Sequence, residues 1–339
     1  MWTTYYVYKG SIMARYTGET IKVDNAVAVF KAVAEYGCVT RSDISAHTGL
    51  SIVTAGKATE EFLDRGIFIQ KESQSKTVGR HASRLSLDRN KLLVLLDISN
   101  KDFVVNYYDL SLNCVFTNKH RYIDDFTYKD NLRSFLHSVK AYMIDRADKR
   151  FLMIGLIVPG SYDRETDAVN AYGHPIEQIN PCKFIQQSVA MSINFTVGNM
   201  SAAVKHCQTL CAPNENCVYI SVDAENSRLY ARLILGGKLL RSYSEEYKII
   251  DVDNLAGELT QFVTSICTVV NVNNIYLDYI SFCAPRYALN EVAKHTKYNC
   301  TIPGAIAPKL NLCEPGDFPR RGAIETLRRI WLERIINNF

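Results

Sequence analysis

Residues 38–68 read CVTRSDISAHTGLSIVTAGKATEEFLDRGIF, and this stretch decides the nature of the first domain. Thr40-Arg41-Ser42-Asp43 sets a capping threonine three residues ahead of an acid, which predicts a short helix over 41–48. Gly49 then turns the chain. Ser51 is a second N-cap and opens a longer helix to about Arg65, with Ala55, Ala58, Phe62 and Leu63 facing inward and Gly66 as its stop. Upstream, residues 24–36 (DNAVAVFKAVAEY) carry an apolar stripe of Ala26, Val29, Phe30 and Val33. Asp24 is the expected N-cap of that helix and Gly37 its terminator. A helix, a short helix, a tight glycine turn and a longer helix make a helix-turn-helix.

The next residues extend the motif. Ile67–Lys71 and Ser83–Leu87 alternate as strands, and the polar loop from Glu72 to Ala82 between them reads as a wing. The second helix of such a motif lies in the major groove with its first turns near base edges. Ser51, Thr54 and Lys57 are therefore candidate contacts, with Gly56 allowing close approach. Thr40, Arg41 and Ser42 open the shorter helix, where backbone N–H groups suit a phosphate. The wing contributes Lys71, Lys76, Arg80 and Arg84; Arg80 beside Gly79 suits a narrow minor groove. Residues 1–90 hold 12 Lys/Arg against 9 Asp/Glu, and the rest of the chain 27 against 26, so most of the net charge of +4 sits in the smaller part. A basic hairpin tip alone is most often solvated surface. Three helices, a wing and a basic loop together point to double-stranded DNA.

The remaining residues form something larger. With 339 residues the chain exceeds one simple core. Strands are expected at 91–99 (KLLVLLDIS), 103–110 and 113–117, then a helix at 132–147 and a buried strand, FLMIGLIV, at 151–158. Helices at 181–192 and 201–210 flank a short strand at 195–197. Strands at 216–222 and 228–235, the latter joined to 238–240 by Gly236-Gly237, precede a helix at 255–270 and a strand at 275–281. A closing helix at 321–336 sets Ile324, Leu327, Trp331 and Ile335 on one face. Alternating meanders and helices imply α/β layers, with no internal repeat in the sequence. No apolar run spans a bilayer and the first residues lack a signal-peptide pattern, so a cytoplasmic protein with no membrane partner is expected. The ten cysteines form no CxxC pair, the closest being Cys207 and Cys211, and are expected as buried free thiols, a metal site being the alternative.

Four segments, in chain order, resemble the ROK family of repressors, open reading frames and kinases. Gly79-Arg80-His81 resembles the Gly-Arg-Pro of ROK repressor wings. Ile154-Gly155-Leu156-Ile157-Val158-Pro159-Gly160, followed by Asp163, resembles the family's Ile-Gly-x-x-x-Pro-Gly-x-x-Asp. Leu235-Gly236-Gly237-Lys238-Leu239-Leu240-Arg241 resembles its Asn-Gly-Lys-Leu turn, and Arg321-Gly322-Ala323-Ile324 its terminal Gly-Ala helix. The resemblance covers nearly the whole chain. It implies a winged helix-turn-helix over 1–90 followed by a two-lobed actin/hexokinase-like (ribonuclease H-like) domain of α/β class. The lobes would be 91–196 and 197–339, with helix 321–336 packing back on the first. It implies a DNA-binding transcription regulator, expected to be a repressor, acting as a homodimer or higher homo-oligomer that presents paired helices to half-sites. A sugar or sugar derivative is the implied effector. Asn199 matches the family's sugar-contacting Asn, and the loop from Asn170 to Pro181, with His174 and Asn180, lies where the family wraps its sugar. Asn199 better suits capping of the helix near Ser201, and a histidine placed like His174 is more often a surface residue than a ligand.

The family's kinase chemistry does not carry over. Its Asp-x-Gly-Gly-Thr phosphate loop is Asp97-Ile98-Ser99-Asn100-Lys101 here, and only glycine lets backbone amides approach phosphate so closely. Its second loop, Gly-Thr-Gly-x-Gly-x-Gly, is best matched by Asn226-Ser227-Arg228-Leu229-Tyr230-Ala231-Arg232. Met200 stands at the position of the catalytic Asp, and a thioether cannot take a sugar hydroxyl's proton. The family's zinc segment is missing after Arg241. No catalytic residue, cofactor or zinc is expected. Two other functions stay open: a ROK-type sugar kinase, and a regulator whose degenerate domain binds a protein rather than a sugar.

Overall fold

The computed structural model describes residues 18–71, 83–171, 173–223, 228–240, 246–248, 254–279, 290, 294, 308–314 and 316–337. The chain divides into two units: Met1–Arg89 with Trp331–Phe339, and Asn90–Ile330.

The first unit holds helices α1 (Gly18–Tyr36), α2 (Arg41–Thr48) and α3 (Ile52–Asp64), then strands β1 (Phe68–Lys71) and β2 (Arg84–Leu87). α1 begins six residues before Asp24, which is an exposed residue inside the helix and not its cap. The residues from Glu19 to Val23 contain no Pro or Gly, so nothing stops the helix extending in that direction. α2 carries the expected capping box, and Gly49, at φ 72°, ends it in the left-handed conformation that favours glycine. The inward row of α3 is Ala55, Thr59 and Phe62, whereas Ala58 and Leu63 are only half-buried. Thr59 tolerates burial because its hydroxyl donates to the Ala55 carbonyl at 2.8 Å. Phe30, Phe62 and Phe68 form an aromatic centre, with ring centroids 5.9 Å apart for Phe30 and Phe62 and 4.7 Å for Phe62 and Phe68. Trp331 adds a fourth ring 5.8 Å from Phe30. β1 and β2 pair antiparallel from Phe68↔Leu87 to Lys71↔Arg84, and an isolated bridge between Val39 and Leu85 widens the hairpin.

The second unit contains β3 (Lys91–Asp97), β4 (Phe103–Tyr108), β5 (Cys114–His120), α4 (Tyr128–Asp145), β6 (Arg150–Val158), β7 (Ser161–Asp163), β8 (Ala168–Asn170), α5 (Pro181–Val189), β9 (Phe195–Gly198) and α6 (Asn199–Leu210). There follow β10 (Asn216–Asp223), β11 (Arg228–Leu235), β12 (Lys238–Leu239), β13 (Glu246–Lys248), α7 (Leu255–Val269), β14 (Asn274–Tyr279), β15 (Lys309–Leu312) and α8 (Asp317–Ile336). Two sheets share one plan. The first runs β5-β4-β3-β6-β9 and the second β12-β11-β10-β14-β15, with β13 alongside β11. In each, an antiparallel meander of three strands is extended by two parallel strands. This is the duplicated α/β arrangement of the actin/hexokinase-like class. The repeat is one of topology, which leaves no periodic trace in the residues.

β3 is buried at every position because it is covered on both faces. On one side Leu92, Val94 and Leu96 pack with Leu132, Phe135, Leu136 and Val139 of α4. On the other, a Cβ added at Gly155 would lie 3.1 Å from Leu95 and 3.2 Å from Leu327 of α8. α8 crosses α6 closely: a Cβ on Gly322 would run into the Ala202 carbonyl oxygen. In the second sheet, Val218, Ile220 and Val222 face Leu259, Phe262 and Ile266 of α7, while Tyr219 faces Met200, Val204 and Cys207 of α6 together with Phe318.

The expectation of buried free thiols is corrected on two counts: Cys38 and Cys114 are exposed, and one disulfide forms. Cys211, just past the end of α6, is joined by a disulfide to Cys217 at the start of β10. The short connection folds back on itself, so two cysteines six apart in sequence meet. Cys38, Cys114, Cys182, Cys207, Cys267 and Cys313 are free thiols. Among the described residues no helix is long and apolar enough to cross a membrane, and no group of three or more His, Cys, Asp or Glu side chains could hold a metal ion.

Candidate nucleic-acid interface

α3 is seated by its inward row, and the opposite stripe is Ile52, Val53, Gly56, Lys57 and Glu60. Ile52 and Val53 are 59% and 69% exposed, Lys57 is exposed, and Gly56 has no atom within 4 Å of where a Cβ would stand. Ser51 caps the helix by accepting the Thr54 N–H at 3.1 Å, and the two hydroxyls share a hydrogen bond at 2.9 Å. Both hydroxyls read as base contacts are thus engaged in holding the start of α3. Glu60 is ion-paired with Arg41, which leans across from α2.

At the start of α2, the Asp43 N–H donates to Thr40 Oγ1 at 3.1 Å and the Thr40 N–H donates to Asp43 Oδ2 at 2.8 Å. These hydrogen bonds, that from the Thr40 backbone foremost, hold the Asp43 carboxyl below its ordinary range. Ser42 is exposed beside them. Arg84 is exposed on β2, opposite exposed Lys71 on β1. Lys76 and Arg80 lie outside the described residues. The structure therefore brings Thr40, Arg41 and Ser42 to one helix start, Ser51, Thr54 and Lys57 to the adjacent helix, and Arg84 to the hairpin. Ile52 and Val53, overlooked in reading the sequence, stand at the front of this surface; their signal was an apolar pair lying off the inward row.

The two-lobed unit holds the other candidates. Asn199 is the first residue of α6, whose N-cap is Gly198, so the expected start near Ser201 is two residues late. Its side chain accepts the Met200 N–H at 2.8 Å. His174 Nδ1 accepts the Ile176 N–H at 3.2 Å, capping a 3-10 turn over Pro175–Gln178, and its ring meets Tyr128 edge-on at 5.2 Å. Asn180 donates to the carbonyls of Thr166 and Asp167, both at 3.0 Å. In the same loop, Glu177 accepts the N–H groups of Ala171 and Gly173 at 2.6 and 2.9 Å. Each of the three thus has a partner within the fold; His174 and Asn180 share the connection between β8 and α5, and Asn199 opens α6.

Two buried carboxylates stand at strand ends. Asp97 Oδ1 accepts the Ser99 N–H at 3.1 Å and the Ser99 hydroxyl at 2.6 Å. Its Oδ2 faces Arg320 Nη1 of α8 at 3.5 Å, which balances charge without making a hydrogen bond. Asp278 accepts the Tyr219 hydroxyl at 2.8 Å and the Gly316 N–H at 3.2 Å. Burial, and then the Asp278 charge, push the Tyr219 hydroxyl well above its ordinary range, so it remains a donor. Met200 is buried in one cluster with Cys207, Tyr219 and Phe318. Asn226 and Ser227, the first two residues of the stretch matched to a second phosphate loop, lie outside the described residues, as does Arg241.

No family model matches the chain. Over 159 residues it is 23% identical to the DNA-binding transcriptional dual regulator NagC of Escherichia coli (strain K12) and, to the same degree, to the N-acetylglucosamine repressor of Shigella flexneri. That match takes in 46% of this chain and 39% of either relative, so the chain matches about two fifths of the length of these curated proteins. Among solved structures it superposes on a ROK family transcriptional regulator, a homologue of the E. coli MLC protein, with a TM-score of 0.63. Identity there is 15%, over 94% of this chain and 99% of the other. The chain is related in sequence to these repressors and has the fold of a ROK-family regulator.

Proposed function

We propose that this ROK-type chain is a transcription regulator that binds double-stranded DNA through its first unit. In this reading α3 enters the major groove, with Lys57 reaching a phosphate or base edge, and Ser42 and the α2 start lie against the backbone. The hairpin, with Arg84, Lys76 and Arg80, follows the neighbouring minor groove. The observation that carries the reading is the outward stripe of α3: a helix fixed by caps and core at its back presents Lys57, an open glycine and no unbalanced acid at its front.

The two-lobed unit, on the same proposal, carries no sugar-kinase activity. Met200 offers no proton acceptor at the catalytic position, and Asp97 is turned to Ser99 through Oδ1 and ion-paired with Arg320 through Oδ2. Its role is assembly of a cytoplasmic homodimer or higher homo-oligomer, and the sensing of a sugar or sugar derivative. Mobility shift of the full chain on random duplex DNA tests the central claim. Binding that weakens steeply with salt is expected, because released counterions drive phosphate contacts. Lys57→Ala and Arg80→Ala should each weaken it. No binding above background at low salt refutes the reading. A thermal-shift screen of sugars tests the sensor: a ligand bound to the native state must raise the melting temperature. Silence across a broad panel favours a protein partner instead, and phosphoryl transfer from ATP to any sugar would restore the kinase reading.

A further inference from the structure

We infer that Ile52 and Val53 recognise thymine methyl groups in the major groove, so that the chain selects A·T pairs beneath the first turn of α3; this rests on the regulator reading above. The two side chains occupy the first two positions of the helix, directly after the Ser51 cap. A docked recognition helix brings that turn closest to the base edges. Both are aliphatic and largely exposed, 59% and 69%, in a helix whose inward row is elsewhere. Neither can bond a phosphate or the donor and acceptor pattern of a base. The apolar feature of the major-groove floor is the C5 methyl of thymine.

The surroundings support that assignment. The polar side chains of the same turn, Ser51 and Thr54, are bonded to each other and to the helix start, leaving the apolar pair to lead. Gly56 and Lys57 follow one turn later, so the backbone has room to sink toward the groove while the ammonium takes an anionic contact. Glu60, the acid on this stripe, is held by Arg41 and does not confront DNA uncompensated. Ile and Val are stiff about χ1, so ordering them on docking loses little freedom.

The test uses the full chain and begins with selection of binding sites from a random duplex library. Each thymine of the selected site is then replaced by deoxyuridine, which lacks only the methyl. Replacement at one or more positions should weaken binding about fourfold each, the weight of one buried methyl. Ile52→Ala or Val53→Ala should abolish sensitivity to the replacement its side chain reads. Both residues are exposed, so unchanged melting temperatures will show that the variants fold. A site in which no replacement matters overturns the inference and leaves the regulator standing. So does an unchanged selected sequence for the double variant, which would assign the pair to a protein contact. Failure to enrich any duplex overturns the inference together with the regulator reading.

Discussion

Replacing Gly56 by alanine should stabilise the protein while impairing its proposed activity. The residue lies inside α3 with an ordinary helical backbone, and a Cβ there would have nothing within 4 Å. The fold therefore has no internal need of glycine at this point. Alanine in a helix interior is favoured over glycine by about 1 kcal/mol, chiefly because the unfolded chain loses freedom. For a domain the size of the first unit, that corresponds to a rise of about 4–8 °C in its melting transition. The same methyl, pressed between helix and base edges, would act as overpacking, which costs about 1–3 kcal/mol in a close-fitting interface. DNA affinity should then fall by at least about fivefold. Calorimetry of the full chain measures the first effect and fluorescence anisotropy on a selected duplex the second. If the variant binds as tightly as the parent, the second turn of α3 does not approach DNA and the docking is wrong. A fall in melting temperature would instead refute the open space beside Gly56.

Three further outcomes are expected. Trp331→Ala removes the ring against Phe30 and should destabilise the first unit by about 3–5 kcal/mol, abolishing DNA binding at physiological temperature; denaturant titration followed by mobility shift checks both. Thr40→Ala breaks the capping box and should cost about 1 kcal/mol at neutral pH. Because the Asp43 carboxyl titrates lower in the folded state, its contribution is complete above its ordinary value of 3.8 and fades as pH falls below it; the gap between parent and Asp43→Ala should therefore narrow in acid. Gly322→Ala forces α8 away from the Ala202 carbonyl and should destabilise the two-lobed unit by about 1–3 kcal/mol or more, seen as a lower melting temperature of that unit.

What the sequence revealed was local in character. The Thr40–Asp43 box, the Gly49 turn and the Ser51 cap are signals contained within four residues, and each stands where its reading placed it. The start of α1 was misread because an aspartate that can cap a helix is also tolerated inside one. Thr59 was missed as a core residue because its hydroxyl hides by bonding Ala55, which no apolar pattern reveals. The packing of Trp331 on Phe30, the Cys211–Cys217 bond and the duplicated sheet order depend on chain reversal and strand pairing, which leave no periodic trace. At the candidate interface, polar residue types drew attention to Ser51 and Thr54, whose hydroxyls are used within the helix. The exposed apolar pair beside them became visible only once the inward row was known.

The place of Trp331 has a consequence for how the protein is made. Phe30 and Trp331 are about 300 residues apart, yet their rings share one small core. At about 5–20 residues per second on the ribosome, Phe30 waits about 15–60 s for this aromatic partner. Through that interval Phe30 lacks the ring that completes its surroundings, while the two-lobed unit is synthesised and can begin to fold. A nascent chain stalled before Trp331 would thus present three helices and a hairpin without their full core. Completion of the first unit is in this way tied to the synthesis of α8.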